Sequence, residues 1–120
     1  MEGFKKLVQE LKKNVREMAV SVVVEKMEKG EKIYLVDVRE DDEWRAGLAQ
    51  GAIHIGKGVI ERDIETDIPD KNATIVLYCG GGSRASLAAH SLGLMEYKNV
   101  AVMTGGYRGW TEAGLPEEKN

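Results

Sequence analysis

A chain of 120 residues is long enough for one domain with its own hydrophobic core and too short for two. Hydrophobic residues make up 42% of it and charged residues 31%, a balance typical of globular and not of disordered proteins. The net charge of −3 argues against a nucleic-acid partner, and no apolar stretch reaches the roughly 18 residues that a membrane span needs. Because the first residues also lack the apolar segment of a signal peptide, we expect a cytoplasmic protein.

The beginning of the chain is expected to be helical. Apolar residues from Phe4 to Met18 recur at the spacing of one helix face, which predicts an amphipathic helix that packs on the rest of the domain. The alternative is that this face docks on a partner or on a second copy. A second helix is predicted over residues 22–29, with Ser21 as its N-cap and Gly30 as its left-handed terminator.

The remaining chain alternates between strand and helix patterns. Apolar runs rich in β-branched residues predict strands at 33–38, 52–55, 74–78 and 100–103. Helical patterns lie at 41–46, 58–65, 83–95 and around Trp110. This alternation predicts an α/β fold with a mainly parallel sheet, in which ligands gather at the carboxyl ends of the strands. Cys79 follows one such end directly.

Cys79 is the only cysteine, so it forms no internal disulfide and belongs to no Cys-rich zinc site. The strand before it is predicted to be buried, and three glycines follow it, from Gly80 to Gly82, before a helix begins at Ser83. Glycines adopt backbone conformations that other residues resist, so their N–H groups can converge on one point. The helix N-terminus and Arg84 add positive charge. Together these features favour a reactive thiolate at Cys79.

Two other interpretations apply to segments of this kind. A lone cysteine at a strand end is often only a small buried hydrophobic residue. A glycine-rich turn between strand and helix also occurs in nucleotide-binding proteins, but this one lacks their Gly-Lys-Ser/Thr ending and their dinucleotide glycine pattern. His54 and His90 have no partner at metal-ligand spacing, so no metal site is predicted.

Four segments resemble the signatures of the rhodanese family of sulfurtransferases. They are Asp37-Val38-Arg39-Glu40 with Glu43-Trp44, Gly51-Ala52-Ile53-His54-Ile55, Cys79 with Arg84 after four residues, and Gly105-Gly106-Tyr107-Arg108-Gly109-Trp110. The resemblance extends from about Ser21 to Pro116. It implies an open, mainly parallel five-stranded sheet flanked by helices on both faces. It also divides the chain into an amphipathic helix extension at 1–18 and a rhodanese-like domain at 19–120.

The resemblance further implies a reaction that needs no cofactor and no metal. Cys79 would be the catalytic nucleophile, and it would take sulfane sulfur from a small anionic donor such as thiosulfate. The resulting persulfide would pass its outer sulfur to cyanide, a thiol or a protein thiol. The residues expected to bind the persulfide or the substrate are Gly80, Gly81, Gly82, Ser83, Arg84 and Ala85. The alternative is a carrier or interaction module that serves one protein partner and turns over small donors poorly.

Two features of the predicted loop bear on its substrate. Family members that use thiosulfate efficiently tend to have a basic residue directly after the cysteine, where this chain has Gly80. This difference implies a measurable but modest activity with thiosulfate. Cysteine-based phosphatases, some of them with the same fold, place five residues between cysteine and arginine. This chain has four there, so phosphatase activity is not expected.

Residues outside the loop are expected to support it. Asp37 and Arg39 lie at the end of a predicted core strand and are predicted to form an ion pair near the loop. Tyr107 and Trp110 are interpreted as packing residues. Lys57 and Arg62 could add positive potential for an anionic donor, but basic residues among acidic neighbours are usually solvated surface.

Overall fold

Residues 2–119 are the part of the chain that the computed structural model describes, and they form alternating helices and strands. Met1, the first residue of the predicted extension (1–18), and Asn120, the last residue of the predicted domain (19–120), lie outside this range. The helices are α1 (Glu2–Lys12), α2 (Val20–Glu28), α3 (Asp41–Ala46), α4 (Ile60–Asp67), α5 (Ser83–Leu94) and α6 (Gly106–Glu112). The strands are β1 (Arg16–Met18), β2 (Tyr34–Asp37), β3 (Leu48–Ala49), β4 (Ile53–His54), β5 (Thr74–Tyr78), β6 (Asn99–Met103) and β7 (Glu117–Glu118).

Five strands form one parallel sheet in the order β1-β6-β5-β2-β4. Side chains of the central strand β5 alternate between two cores, with Ile75 and Leu77 on one face and Val76 and Tyr78 on the other. Helices α4 and α5 cover the first face, while α2 and α6 cover the second. The predicted parallel five-stranded sheet with helices on both faces is therefore confirmed.

The helix predicted from Phe4 to Met18 is wrong beyond Lys12. The chain leaves α1 there, turns at residues 13–14, and continues as edge strand β1, which pairs in parallel with β6. Val15 packs against the core on the α5 side and Met18 against the core on the α2 side. Successive residues of a strand point to opposite faces of the sheet, so Val15 and Met18, three residues apart, are buried on different sides. The same spacing of three also fits one face of a helix, and for this reason the sequence pattern predicted a helix.

The shorter helix α1 packs on the domain, as the sequence predicted. Its residues contact α5, and its Val8 is buried in the described structure. Since β1 lies in the central sheet, residues 16–18 are part of the same folded unit as the segment that follows. The boundary between an extension and a domain at residue 18 stays a prediction.

The predicted N-cap of the second helix is wrong. Ala19 occupies the N-cap position with an extended backbone, and Ser21 lies within the first turn of α2. Gly30 follows the helix with φ of 79°, which is the left-handed conformation predicted for it. The other predicted helices and strands are found within two residues of their expected ends, and β5 and α3 match to the residue.

A small antiparallel pair, β3 with β7, was not predicted from the sequence. It ties the C-terminal segment to the turn after α3. Pro116 accepts hydrogen bonds there from the backbone N–H of Gln50 (3.0 Å) and from the indole Nε1–H of Trp110 (2.7 Å). Trp110 is buried, as its interpretation as a packing residue required. Within residues 2–119, no helix is long and apolar enough to cross a membrane.

Candidate active site

Cys79 lies at the carboxyl end of the central strand β5, where parallel α/β sheets place their ligands. Its residue is only 1% exposed, so the thiol is held inside the fold and not displayed on the surface. The Gly82 backbone N–H donates a hydrogen bond to Cys79 Sγ at 2.9 Å. We call residues 79–84 the cysteine loop. The backbone of this loop turns back onto the sulfur and supplies a donor that stabilises negative charge on it.

Of the three consecutive glycines, only Gly82 has a positive φ, at 125°. Residues with a Cβ atom rarely adopt this conformation. It directs the Gly82 N–H toward the sulfur and allows α5 to begin at Ser83. The Gly82 carbonyl accepts two hydrogen bonds from Ser86, one from its N–H (3.0 Å) and one from its Oγ (2.9 Å). Because an α-helix leaves its first N–H groups without intrahelical partners, those of residues 83–85 add positive potential beside the loop.

The N-terminus of α6 holds the cysteine loop from the other side. Tyr107 N–H donates to the Cys79 carbonyl at 2.8 Å, and Arg108 N–H donates to the Gly80 carbonyl at 3.4 Å. Gly106 makes this close approach possible, since a Cβ atom on it would lie 2.3 Å from the Cys79 carbonyl oxygen. The glycines that resembled a family signature are thus the docking surface for the loop.

Arg84 closes the loop and forms a two-point ion pair with Glu43 of α3. Its Nη1 donates to Glu43 Oε1 at 2.6 Å and its Nη2 to Oε2 at 3.2 Å. Glu43 Oε1 also accepts the backbone N–H of Glu40 at 3.0 Å, within the capping box of α3. Hydrogen bonds from Arg84 hold the pKa of the Glu43 carboxyl below its usual value. The pKa of Arg84 is raised, mainly by Glu43 and to a smaller extent by the nearby Cys79.

The predicted ion pair of Asp37 and Arg39 is confirmed, and it is buried. Arg39 Nη2 donates to Asp37 Oδ2 at 2.7 Å, and Nε donates to both carboxylate oxygens at 3.0–3.1 Å. The same Nη2 donates to the Gly47 carbonyl at 2.6 Å, and the guanidinium lies 4.1 Å from the centre of the Tyr107 ring. This pair therefore links β2 and the end of α3 to the helix that holds the cysteine loop.

The remaining candidates, His54, His90 and Arg62, lie on β4, α5 and α4. His54 contacts the Arg39 carbonyl through Nε2 (2.8 Å) and stacks on Trp44 with ring centres 4.9 Å apart. His90 is half-buried on α5. Arg62 pairs with its neighbour Asp63 at 2.7 Å, so its charge is compensated there. His54 is thus a histidine with its own hydrogen-bond partner, and Arg62 is a solvated surface residue, as the sequence indicated for Arg62.

Sequence reasoning missed three supports of the loop: Glu43, Ser86 and the backbone of α6 at residues 106–108. Glu43 belongs to one of the four signature segments, but its pairing could not be predicted from the sequence because Arg84 lies 41 residues away. One signal could have indicated the role of Glu43: its carboxylate lies in a signature segment and has no predicted partner there. The N–H groups of α6 left no such signal, since every residue type except proline supplies a backbone donor. The Ser86 hydroxyl left none either, because a serine within a helix does not indicate its partner.

A buried sulfur with a converging N–H and a nearby arginine can form and hold an anionic covalent adduct. The Gly82 N–H is fixed by the folded backbone, so it needs no reorganisation when charge develops on the sulfur. The described residues thus place a thiol and a donor that can stabilise an anion at one strand end.

Comparison with known proteins gives the family of this chain. Residues 19–113 match the family described as the rhodanese-like domain. The chain is 35% identical over 103 residues to "Putative sulfurtransferase YtwF" of Bacillus subtilis, covering 86% of this chain and 97% of that protein. It is 32% identical over 91 residues to the thiosulfate sulfurtransferase GlpE of Actinobacillus succinogenes, with coverages of 73% and 78%.

A solved structure is similar over nearly the whole chain. It belongs to RPA3614 of Rhodopseudomonas palustris, titled a protein of unknown function and possible tyrosine phosphatase. The TM-score is 0.82 at 26% identity, and the match covers 96% of this chain and 93% of that one. Taken with the family match over residues 19–113 and the two related sequences, the fold and the cysteine loop lead to one conclusion. This chain belongs to the family of rhodanese-like domains, and its similarity to sulfurtransferases supports sulfur transfer as its general activity.

Proposed function

We propose that the protein transfers sulfane sulfur through a persulfide on Cys79. In the first half-reaction the Cys79 thiolate attacks the outer sulfur of thiosulfate, the S–S bond of the donor breaks, and sulfite leaves with the bonding electron pair. The charges balance, since one thiolate and one dianion give a persulfide anion and the sulfite dianion. In the second half-reaction cyanide attacks the outer sulfur of the persulfide, giving thiocyanate and restoring the thiolate. A thiol or protein thiol acceptor takes the sulfur in the same way.

One observation carries the proposal: the Gly82 N–H donates to a buried cysteine sulfur at a strand end, beside a helix N-terminus. A purely structural cysteine would need no such donor, because a thiol is satisfied in an apolar core. An anionic sulfur needs it, since burial without a donor penalises charge. The other proposed binding residues, Gly80, Gly81, Ser83, Arg84 and Ala85, all lie within six residues after Cys79 in the chain. The similarity to GlpE, a thiosulfate sulfurtransferase, supports the donor class.

The experiment is mass spectrometry of the purified protein after incubation with thiosulfate, combined with steady-state assay of thiocyanate. We expect one added sulfur, about 32 Da, on the peptide that contains Cys79, with release of sulfite. Cys79→Ser is the control, since it keeps a small polar side chain that can accept the Gly82 N–H. A folded Cys79→Ser protein that keeps near wild-type activity contradicts the mechanism.

A carrier that serves one protein partner is the alternative function. It would load one sulfur from a donor and release it slowly to cyanide, so the persulfide would accumulate while turnover stayed low.

A phosphatase is the second alternative, because the similar structure of RPA3614 is titled a possible tyrosine phosphatase. Four residues between Cys79 and Arg84 form a smaller ring of donors than the five of cysteine phosphatases. We therefore expect no hydrolysis of p-nitrophenyl phosphate above the Cys79→Ser level. The cytoplasmic location stays a prediction.

A further inference from the structure

Arg84, the last residue of the cysteine loop, carries a full positive charge, and this charge is paired with the carboxylate of Glu43. Two nitrogens of the Arg84 guanidinium, Nη1 and Nη2, donate to the two oxygens of the Glu43 carboxylate at 2.6 and 3.2 Å. The Arg84 side chain is 33% exposed and that of Glu43 is 35% exposed, so incoming molecules can reach the pair. The carboxylate is also fixed from behind by the Glu40 N–H at 3.0 Å, which holds it in place.

The position of the guanidinium relates this pair to the donor. Arg84 Nη2 lies 3.2 Å from the place where a Cβ atom of Gly80 would be, so the guanidinium is next to the residue that follows Cys79. A donor that reaches Cys79 therefore approaches an arginine whose charge is largely cancelled by Glu43. A dianion must either separate this pair or lie near the carboxylate, and both cost more than the approach of a monoanion.

We propose that Glu43 is a positioning residue that sets the charge preference of the cysteine loop, favouring sulfur donors with one negative charge over dianions such as thiosulfate. The inference rests on the proposed function, because it concerns the donor of that same reaction. The donor class is a persulfide or thiosulfonate monoanion. In the persulfide case the thiolate takes the outer sulfur of R–S–S⁻, the S–S bond breaks, and the thiolate R–S⁻ leaves with its electron pair.

Two small donors separate charge from chemistry. Thiosulfate and methanethiosulfonate both offer a terminal sulfur bonded to a sulfonyl sulfur, but the first has two negative charges and the second has one. Their leaving groups are sulfite and methanesulfinate, respectively. A charge preference set by Glu43 must therefore appear as a difference between these donors when the carboxylate is neutralised.

The test compares the wild type with Glu43→Gln, which keeps the side-chain size and an oxygen for Arg84 and for the Glu40 N–H. We expect KM for thiosulfate to fall about fivefold at low ionic strength, with kcat changed less than about twofold. KM for methanethiosulfonate should fall by about twofold or less. The difference should shrink as salt is added, because partly exposed charges are screened. A purely structural role of Glu43 would instead lower kcat for both donors alike.

Asp42→Asn is the matched control, because it removes the same charge from an exposed side chain of the same helix. Equal effects of the two variants on KM, or no selective gain for thiosulfate in Glu43→Gln, would overturn the proposal. Binding of thiosulfate to the Cys79→Ser protein, with and without Glu43→Gln, is measured by calorimetry and does not depend on turnover. If no variant transfers sulfur yet Glu43→Gln binds thiosulfate more tightly, the proposed function fails and the charge preference stands.

Discussion

Gly106 lies so close to Cys79 that no side chain fits between them. A Cβ atom on Gly106 would be 2.3 Å from the Cys79 carbonyl oxygen and 2.7 Å from that of Gly80. Gly106 also has φ of 56°, a left-handed conformation that costs other residues energy. The cysteine loop is therefore positioned by a backbone contact with α6, and its geometry depends on a residue that has no side chain.

We predict that Gly106→Ala displaces the cysteine loop and lowers sulfur transfer at least about a hundredfold, with a loss of stability of about 3 kcal/mol. Backbone atoms cannot yield as a flexible side-chain end does, so α6 must move and the Tyr107 N–H must leave the Cys79 carbonyl. Steady-state assay and urea unfolding measure the two effects. Gly109→Ala is the control on the same helix, because its Cβ would meet Val20 at an ordinary 3.6 Å. Similar losses in both variants would disprove this explanation.

The buried pair of Asp37 and Arg39 leads to a second prediction, on stability. Asp37 is fully buried, and Arg39→Leu would leave its carboxylate without the guanidinium that neutralises it. We expect a loss of about 3–5 kcal/mol in the free energy of unfolding, measured in urea at neutral pH. Arg39→Lys should recover only part of it, since an ammonium cannot reproduce the contacts to both carboxylate oxygens and to the Gly47 carbonyl. A double variant with Asp37→Asn should lose less than Arg39→Leu alone, and additive losses would contradict the prediction.

The elements predicted to the residue are those with strong local signals. The run Thr74–Tyr78 is apolar and β-branched, and α3 combines three acidic residues in its first turn with Gly47 at its end. Edge strands β1, β3 and β7 have two or three residues each, and they are strands only because another segment lies beside them. Such pairing is a tertiary property that neither propensity nor periodicity contains.

The candidate site also consists of a part that the sequence predicts and a part that only the fold brings together. Cys79, its glycines and Arg84 are adjacent in sequence, so their association could be predicted from chain order alone. The partner of Arg84 and the donors to the loop carbonyls come from α3 and α6, which the fold brings to the same strand end. The sequence predicts the positive charge of Arg84 but not its ion pair with Glu43, since that pair depends on the packing of α3.

The pKa of Glu43 leads to a prediction on pH dependence. Hydrogen bonds from Arg84 lower this pKa in the folded protein, so the folded state holds the proton less tightly than the unfolded state. The contribution of the ion pair is therefore complete above the ordinary value of 4.5 and is lost as pH falls through the lower folded value. We expect the difference in melting temperature between wild type and Glu43→Gln to be constant above about pH 6 and to shrink toward about pH 3. A difference that grows on acidification would contradict this sign.

The final prediction concerns Gly80, whose backbone is compatible with a side chain. Its φ is not positive, and a Cβ would meet only the flexible end of Arg84, at 3.2 Å. Gly80→Arg should therefore fold and add a positive charge beside the donor. One charge-assisted contact of about 1.5–3 kcal/mol corresponds to a fall in KM for thiosulfate of about ten- to a hundredfold.

Gly80→Gln separates the charge from the size of the new side chain. It places a long polar group at the same position, so it causes the same displacement of Arg84 without adding a charge. We expect KM for thiosulfate to fall in Gly80→Arg and to stay within about twofold of the wild type in Gly80→Gln. If both variants bind thiosulfate equally well, charge at this position does not control donor affinity. The first residues to test would then be Lys57 and Arg62, with Arg62 the weaker candidate because Asp63 already neutralises it.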